Sequence, residues 1–407
     1  MEPWKRTLAL IVFAQVISSV GFSIFFPFLP SYIQELGTNT SISLEVWSGV
    51  VFGGQALMMA ITAPIWGSIA DRRGRKPMLL RALFGGSIII LLMGFARSAE
   101  ELALLRAIQG AVTGTIAATN ALVAASVPRE KIGQAMSYLQ VGLWGGVAPG
   151  PLIGGVIADT FGFQAVFELT AVLLLVSGIL ITFGVKEQFT PPDPNKRKPS
   201  FVADWQRILG APHVAPAYVV RFLDWLGNSM LLPFLPLFIL TLHIDQARIN
   251  TFTGFVVGIS SATGTIAALM LGPLGDRIGH RTILLWTTAI AALVSFPHAF
   301  VTDGWQLLAL QAIQGAALGA MGPALSSLLA RYTTLGDSGA VFGLDSSITA
   351  GSRAIAPLLG AATVMLFDLR GLFIVIGISL LIALVIAFVA IPEKPTKTEQ
   401  QPEPVQI

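Results

Sequence analysis

The chain has 407 residues, 54% hydrophobic and 12% charged, with a formal net charge of +3 and a mean hydropathy of +0.75. Water-soluble domains carry about 25% charged residues, so this composition excludes a soluble globular protein and makes lipid the solvent of the fold. The absence of cysteine excludes disulfides and thiolate metal sites, and four scattered histidines (213, 243, 280, 298) supply no zinc-binding spacing.

A membrane-spanning helix needs about 20 apolar residues. Twelve runs qualify in chain order: 7–33, 45–70, 76–96, 100–127, 131–158, 163–186, 211–242, 248–275, 281–302, 304–331, 337–366 and 370–391. They predict an all-α polytopic membrane protein. The first run is too long for the core of a cleavable signal and lacks an A-x-A site. Glycine and proline inside the runs are tolerable in lipid, because neighbouring helices satisfy freed backbone groups. Residues 187–210 are polar, basic and proline-containing and read as a linker, and 393–407 read as a disordered tail. The expected organisation is therefore a six-helix bundle 1–186, the linker, and a second six-helix bundle 211–392.

Basic residues orient the spans. With the N-terminus in the cytoplasm, nineteen of the 25 lysines and arginines fall in inner segments, and only Arg97, Arg248 and Arg370 in outer ones. Both termini are thus expected inside a plasma (inner) membrane. The turn "GSIADRRGRKP" (67–77) is the densest inner cluster, and "GPLGDRIGHR" (272–281) is its weaker copy. Asp71 maps to Asp276 and "RAIQGAVTG" (106–114) to "QAIQGAALG" (311–319), at an offset of 205. "FPFLPSYI" (26–33) maps to "LPFLPLFI" (232–239) and Pro151 to Pro357, at an offset of 206. The chain is a parallel repeat of two six-helix units, the arrangement of the halves of major facilitator transporters.

The residues support that match directly. "GSIADRRGRKP" resembles the major facilitator signature turn between helices 2 and 3. "LRAIQG", with Arg106, resembles the helix-4 motif, and "GGVAPGPLIGG" (145–155) is similar to the helix-5 motif of drug–proton antiporters. The resemblance covers all twelve runs and implies the twelve-helix, two-bundle fold of the multidrug-efflux branch. It further implies that Asp71, Arg72 and Arg75, with Gly67 and Gly74 for close approach, form a cytoplasmic gate between the halves. Asp276 and Gly279 keep part of that pattern, with His280 and Arg281 replacing Arg75 and Lys76. Positive charge that merely fixes topology is the plainer reading of the same turn.

Charges inside apolar runs cost roughly 3 kcal/mol or more each and mark interiors or wet cavities. Arg106, Arg221, Arg353, Glu168, Asp224 and Asp345 are such charges. Arg221 and Asp224 share a face of the seventh helix near its cytoplasmic end, where the first copy has Gln15 and Ser18. An Asp beside a cation can exchange a proton as its surroundings change, so Asp224, Arg221, Arg106 and Glu168 are candidates for proton coupling. A structural ion pair, and interfacial snorkelling of Glu168, are the alternatives. In the fourth helix Arg106, Gln109, Thr113 and Asn120 form one polar stripe at helical spacing. With Gln15, Phe22, Phe26, Asn228 and Gln314 they are the candidate substrate cavity. Gly146, Pro149, Gly150, Pro151 and Gly154 bend the fifth helix and suit close contact with a helix of the second half.

No GxxxxGK[ST] loop is present to cradle phosphates, which excludes an ATP-driven pump within this chain, and no nucleophile elbow or metal cluster suggests an enzyme. The expectation is a proton-coupled exporter of lipophilic, in part cationic, small molecules. Such a protein needs no cofactor beyond protons, binds no nucleic acid, and works as a monomer in the bilayer. A transporter of sugars, metabolites or lipid-like amphiphiles without proton coupling is the alternative.

Overall fold

The computed structural model describes residues 3–128, 131–187, 201–242, 244, 248–332 and 338–392. The tail 393–407 and linker residues 188–200 lie outside the described residues. Helix occupies each of the twelve apolar runs. The first pass is α1 (Pro3–Phe25), a 3₁₀ turn (Phe26–Phe28) and α2 (Leu29–Leu36). Pro27 and Pro30 lack the amide donors a continuous helix needs and divide this pass. Then follow α3 (Leu44–Arg73), α4 (Arg75–Met93), α5 (Ala99–Val112), α6 (Thr115–Ser126), α7 (Ile132–Val147) and α8 (Gly150–Gly184). The linker is not all irregular: α9 (Phe201–Gly210) forms inside it, with Ile208 buried in the second half. The seventh pass, α10 (Val214–Leu231) and α11 (Leu235–Leu240), is divided by Pro233 and Pro236, a repeat of the first. α12 (Ile249–Ile278), α13 (His280–His298), α14 (Gly304–Tyr332) and α15 (Ser338–Ala390) complete the chain.

At 1.5 Å per residue, α8 (35 residues) and α15 (53 residues) are far longer than a bilayer's hydrocarbon core of about 30 Å. α15 makes two passes, turning at Asp368 (φ 67°, ψ −176°), and α8 makes the end of the fifth pass and the whole of the sixth, turning at Gly162 (φ 82°, ψ 170°).

Buried apolar side chains gather in one core running from Leu8 to Val185 and in two others between Ile208 and Ile391. In the first half α1 packs on α7 and α8, α3 on α5, and α4 on α8; in the second, α10 packs on α15, and α12 and α13 on α14. Phe161, Phe183, Leu366 and Val389 are 75–84% exposed. Such outward apolar surface is foreign to a soluble monomer and suits contact with lipid.

The halves touch through α3 on α15 and α8 on α12, and the named contacts lie toward the face away from the N-terminus, called here the far face. A Cβ on Gly49 would stand 3.1 Å from the Pro357 carbonyl oxygen, and one on Gly53 2.9 Å from that of Ala354. Gly254 abuts the Pro151 carbonyl, and Gly155 that of Asn250. On the N-terminal face Gly67 and Gly272 have only open space beside them among the described residues.

The glycine face of the fifth pass corrects one expectation. Gly146, Gly150 and Gly154 recur every four residues and face α1 of their own half. A Cβ on Gly146 would lie 2.6 Å from the Val16 carbonyl oxygen, while Gly150 meets Ser23 and Gly154 meets the Ile24 carbonyl. Of the five residues expected at the inter-half seal, Pro151 meets the second half, its carbonyl lying against Gly254, while the three glycines face α1. Pro149 sits exposed at the break between α7 and α8. Removing amide donors at Pro149 and Pro151 frees the carbonyls four residues back and bends the pass.

Overpacking a glycine contact of this kind costs about 1–3 kcal/mol. Gly154→Val should lower the thermal unfolding midpoint of the detergent-purified protein by several degrees, and Gly67→Ala, beside open space, should not lower it.

Candidate functional site

The interior charge of the first half is on α5. Ser98 starts this helix by accepting the amide of Glu101 (3.3 Å), and Glu100 and Glu101 suit its N-terminal dipole. Arg106 stands two turns in and is 1% exposed. Its Nη1 donates to Gln109 Oε1 at 2.5 Å, and its guanidinium lies 5.5–5.8 Å from the rings of Phe25, Phe26 and Phe52. Nε and Nη2 have no partner among the described residues. A cation ringed by aromatic faces gains quadrupole attraction, and among the described residues no carboxylate pairs with this one.

The polar stripe does not run on to Asn120. The fourth pass breaks after α5, where Thr113 N and Oγ1 both donate to the Gln109 carbonyl at 2.8 Å, and α6 restarts after Gly114 at φ 146°. Only glycine adopts that backbone without strain. Trp66 Nε1 donates to the Ala111 carbonyl at the break (2.7 Å), and Arg81 stacks on the Trp66 ring at 3.6 Å. Past the break Thr119 is buried and Asn120 only half-buried. Thr119, Gln15 and Ser18 line a small gap inside the first half. Gln15, which donates to Ser19 Oγ at 3.0 Å, therefore belongs to that bundle's interior rather than to a space between halves. Gln314 likewise bonds within its half, donating to Ser295 Oγ at 3.3 Å. Phe22 and Phe26 are half-buried, and Asn228 is exposed one turn beyond Asp224.

In the second half Arg221 pairs not with Asp224 but with Asp345 of α15. Its Nε donates to Asp345 Oδ1 at 2.9 Å and its Nη2 to Ser326 Oγ at 2.7 Å. Nη1 reaches the Gly322 carbonyl at 3.4 Å, so this one side chain ties α10 to α14 and α15. Asp224 is 8% exposed and makes no hydrogen bond among the described residues. It lies about 15 Å along α10 from Val214, slightly nearer the helix start than the run beginning at 211 implied, because the helix begins only after His213. Arg353 stacks over Trp225 at 4.6 Å, so Asp345 and Arg353, two turns apart, both meet α10. Glu168 stands apart on an exposed face, accepting from Gln164 Nε2 at 2.9 Å, away from the interior charges it was grouped with.

The signature turn is tied down within its own half. The Arg75 and Lys76 amides donate to Glu187 Oε1 and Oε2, both at 2.8 Å, so one carboxylate caps α4. Lys76 Nζ returns the contact by donating to the Thr182 and Val185 carbonyls (2.8 and 2.6 Å) at the end of α8. Glycine suits this position because the backbone takes φ 95°, and a Cβ would also stand 2.8 Å from Glu187 Oε2. The second copy keeps the cation: Arg281 Nε donates to the Ile391 carbonyl (2.5 Å) and Nη2 to that of Phe388 (2.8 Å). His280 Nε2 lies 3.0 Å from Asp276 Oδ1, across the turn that joins α12 to α13, and Gly279 takes φ 98° at the turn itself. Arg72 is exposed beside the turn, and the Asp71 side chain lies outside the described residues. Glu187, read in sequence as the start of a linker, is the residue missed here.

The family model described as "Major Facilitator Superfamily" matches residues 11–249 and 217–406. Multidrug resistance protein MdtG of Serratia proteamaculans is 35% identical over 398 residues, covering 98% of this chain and 96% of that protein. The Salmonella typhimurium protein of the same name is 36% identical over 373 residues, covering 91% and 92%. Among solved structures, a mutant of the nucleoside transporter NupG superposes with a TM-score of 0.76 at 12% identity, covering 94% of this chain and all of that one. A bacterial homologue of the human lysosomal transporter Spinster gives 0.76 at 13% identity, covering 96% and 97%. The chain belongs to the Major Facilitator Superfamily, a membrane transport protein of all-α fold.

Removing one partner of an enclosed ion pair leaves an uncompensated charge and costs about 3–5 kcal/mol, whereas replacing both by apolar groups is often neutral. Arg221→Met should therefore lower stability by about that much in denaturant titrations. Arg221→Met combined with Asp345→Leu should recover most of the loss.

Proposed function

We propose that this chain is a multidrug exporter. It moves lipophilic small molecules, cations among them, out of the cell in exchange for protons, its halves rocking about a shared interior that opens to one side at a time. Near full-length identity of about a third to proteins named for multidrug resistance supports the export class. The cation asymmetry of the loops favours a cytoplasmic N-terminal face in the inner membrane. In that orientation the contacts on the far face lie on the outside, and the open space beside Gly67 and Gly272 lies on the inward side.

Asp224 carries the coupling. It is an enclosed acid without a hydrogen bond among the described residues, one helical turn from an Arg221 already engaged by Asp345. Such an acid gains or loses a proton without dismantling a network. Once ionised it competes with Asp345 for the guanidinium, which pulls α10 relative to α14 and α15. Arg106, a fixed cation without a carboxylate, keeps the first half positive and so promotes proton release.

In proteoliposomes with an imposed pH gradient, the wild type should move members of a panel of lipophilic dyes and drugs only while the gradient lasts. Asp224→Asn should cut gradient-driven movement at least tenfold while dye binding persists. Gradient-driven transport by Asp224→Asn would remove this residue from the coupling. A panel on which the wild type moves nothing would remove the export function itself.

A further inference from the structure

Asp159 was singled out by no sequence pattern. It lies on α8 just before the chain turns at Gly162. Its Oδ1 accepts the backbone amide and the Nδ2 of Asn250 at 3.3 and 2.9 Å. Its Oδ2 accepts the amide and hydroxyl of Thr251 at 2.7 and 2.5 Å. Both amides belong to the first turn of α12, where backbone donors have no partner within the helix and the dipole favours an anion. The helix supplies no side-chain cap of its own, since the preceding residue is Arg248. One half of the molecule thus caps a helix of the other, on the face where the halves meet.

The backbone fixes the alignment. Gly155 lies against the Asn250 carbonyl and Gly254 against the Pro151 carbonyl, close enough that any side chain at either glycine would push the helices apart. The internal repeat does not demand the arrangement. The residue 206 positions on from Asp159 is Met365, 65% exposed, so the matching contact of α3 with α15 has no such acid.

We infer that Asp159 is the latch that holds the far face shut, and that parting of its carboxylate from the α12 amides is the event that opens that face. The inference rests on the alternating-access function proposed above. Charge-assisted hydrogen bonds to a partly buried carboxylate are strong enough that losing them shifts a two-state equilibrium roughly tenfold or more.

The cysteine-free chain allows spin labels to be placed without background. Labels on Ser41→Cys and Thr302→Cys, exposed positions on the far face of the two halves, would report its width by double electron–electron resonance in nanodiscs at two pH values. The wild type should show a dominant short distance and a minor long one. Asp159→Ala should raise the long-distance fraction at least tenfold, and Asp159→Asn, which keeps shape and one acceptor, should fall between. Should Asp159→Ala not yield folded protein, Asp159→Asn alone decides the matter. A wild type with two distances and variants indistinguishable from it would overturn the latch while leaving alternating access standing. A single short distance in the wild type at both pH values and with dye bound would overturn both.

Discussion

A helix end in or beside lipid presents backbone groups that water cannot reach, and each must find a partner in the protein. This fold meets that constraint largely with side chains from other helices. Glu187 and Lys76 exchange caps between α4 and α8, and Arg281 does the same for the end of α15. Tyr32 donates to the Met93 carbonyl and Tyr218 to that of Val341, both at 3.0 Å. Trp66 reaches the carbonyl freed where the fourth pass breaks. Satisfying the backbone and cross-bracing the helices are the same set of contacts, so loops contribute little to the rigidity of either half.

The two copies of the repeat share their scaffold and differ in their interiors. Proline divides both first passes, and a basic side chain clamps both signature turns. The departures are electrostatic. Arg106 faces Gln311 across the repeat, and Asp224 faces Ser18 or its neighbours. Gly114 breaks its pass at φ 146°, whereas its counterpart Gly319 lies in the unbroken α14 and lets that helix press against Gly264 of α12. The same repeat position thus breaks a helix in one half and packs one tightly in the other. A duplicated frame thus carries unlike charges in its two halves.

The passes and the repeat were legible in the sequence because long apolar runs and a near-constant offset are one-dimensional signals. Partnerships were not. Arg221 and Asp224, three residues apart, read as a pair, yet the guanidinium turns to Asp345, 124 residues away, since burial rewards the partner with room for two parallel bonds. The four-residue spacing of Gly146, Gly150 and Gly154 announced a close-packed face but not which helix would receive it. Asn120 continued the stripe of Arg106 and Gln109 only on the assumption of an unbroken helix. Glu187 and Asp159 were hidden for a common reason: a carboxylate that caps a distant helix leaves no local pattern, because its partners are backbone amides.

The clamp between Lys76 and Glu187 also bears on how the protein is made. The bond from the Arg75 amide to Glu187 joins residues 112 apart. As the nascent chain leaves the ribosome, α4 enters the bilayer with its first amides unanswered until the sixth pass has been threaded. Insertion of the early spans and locking of the bundle are therefore separate events in biogenesis, with the second waiting on a single glutamate at the end of the half.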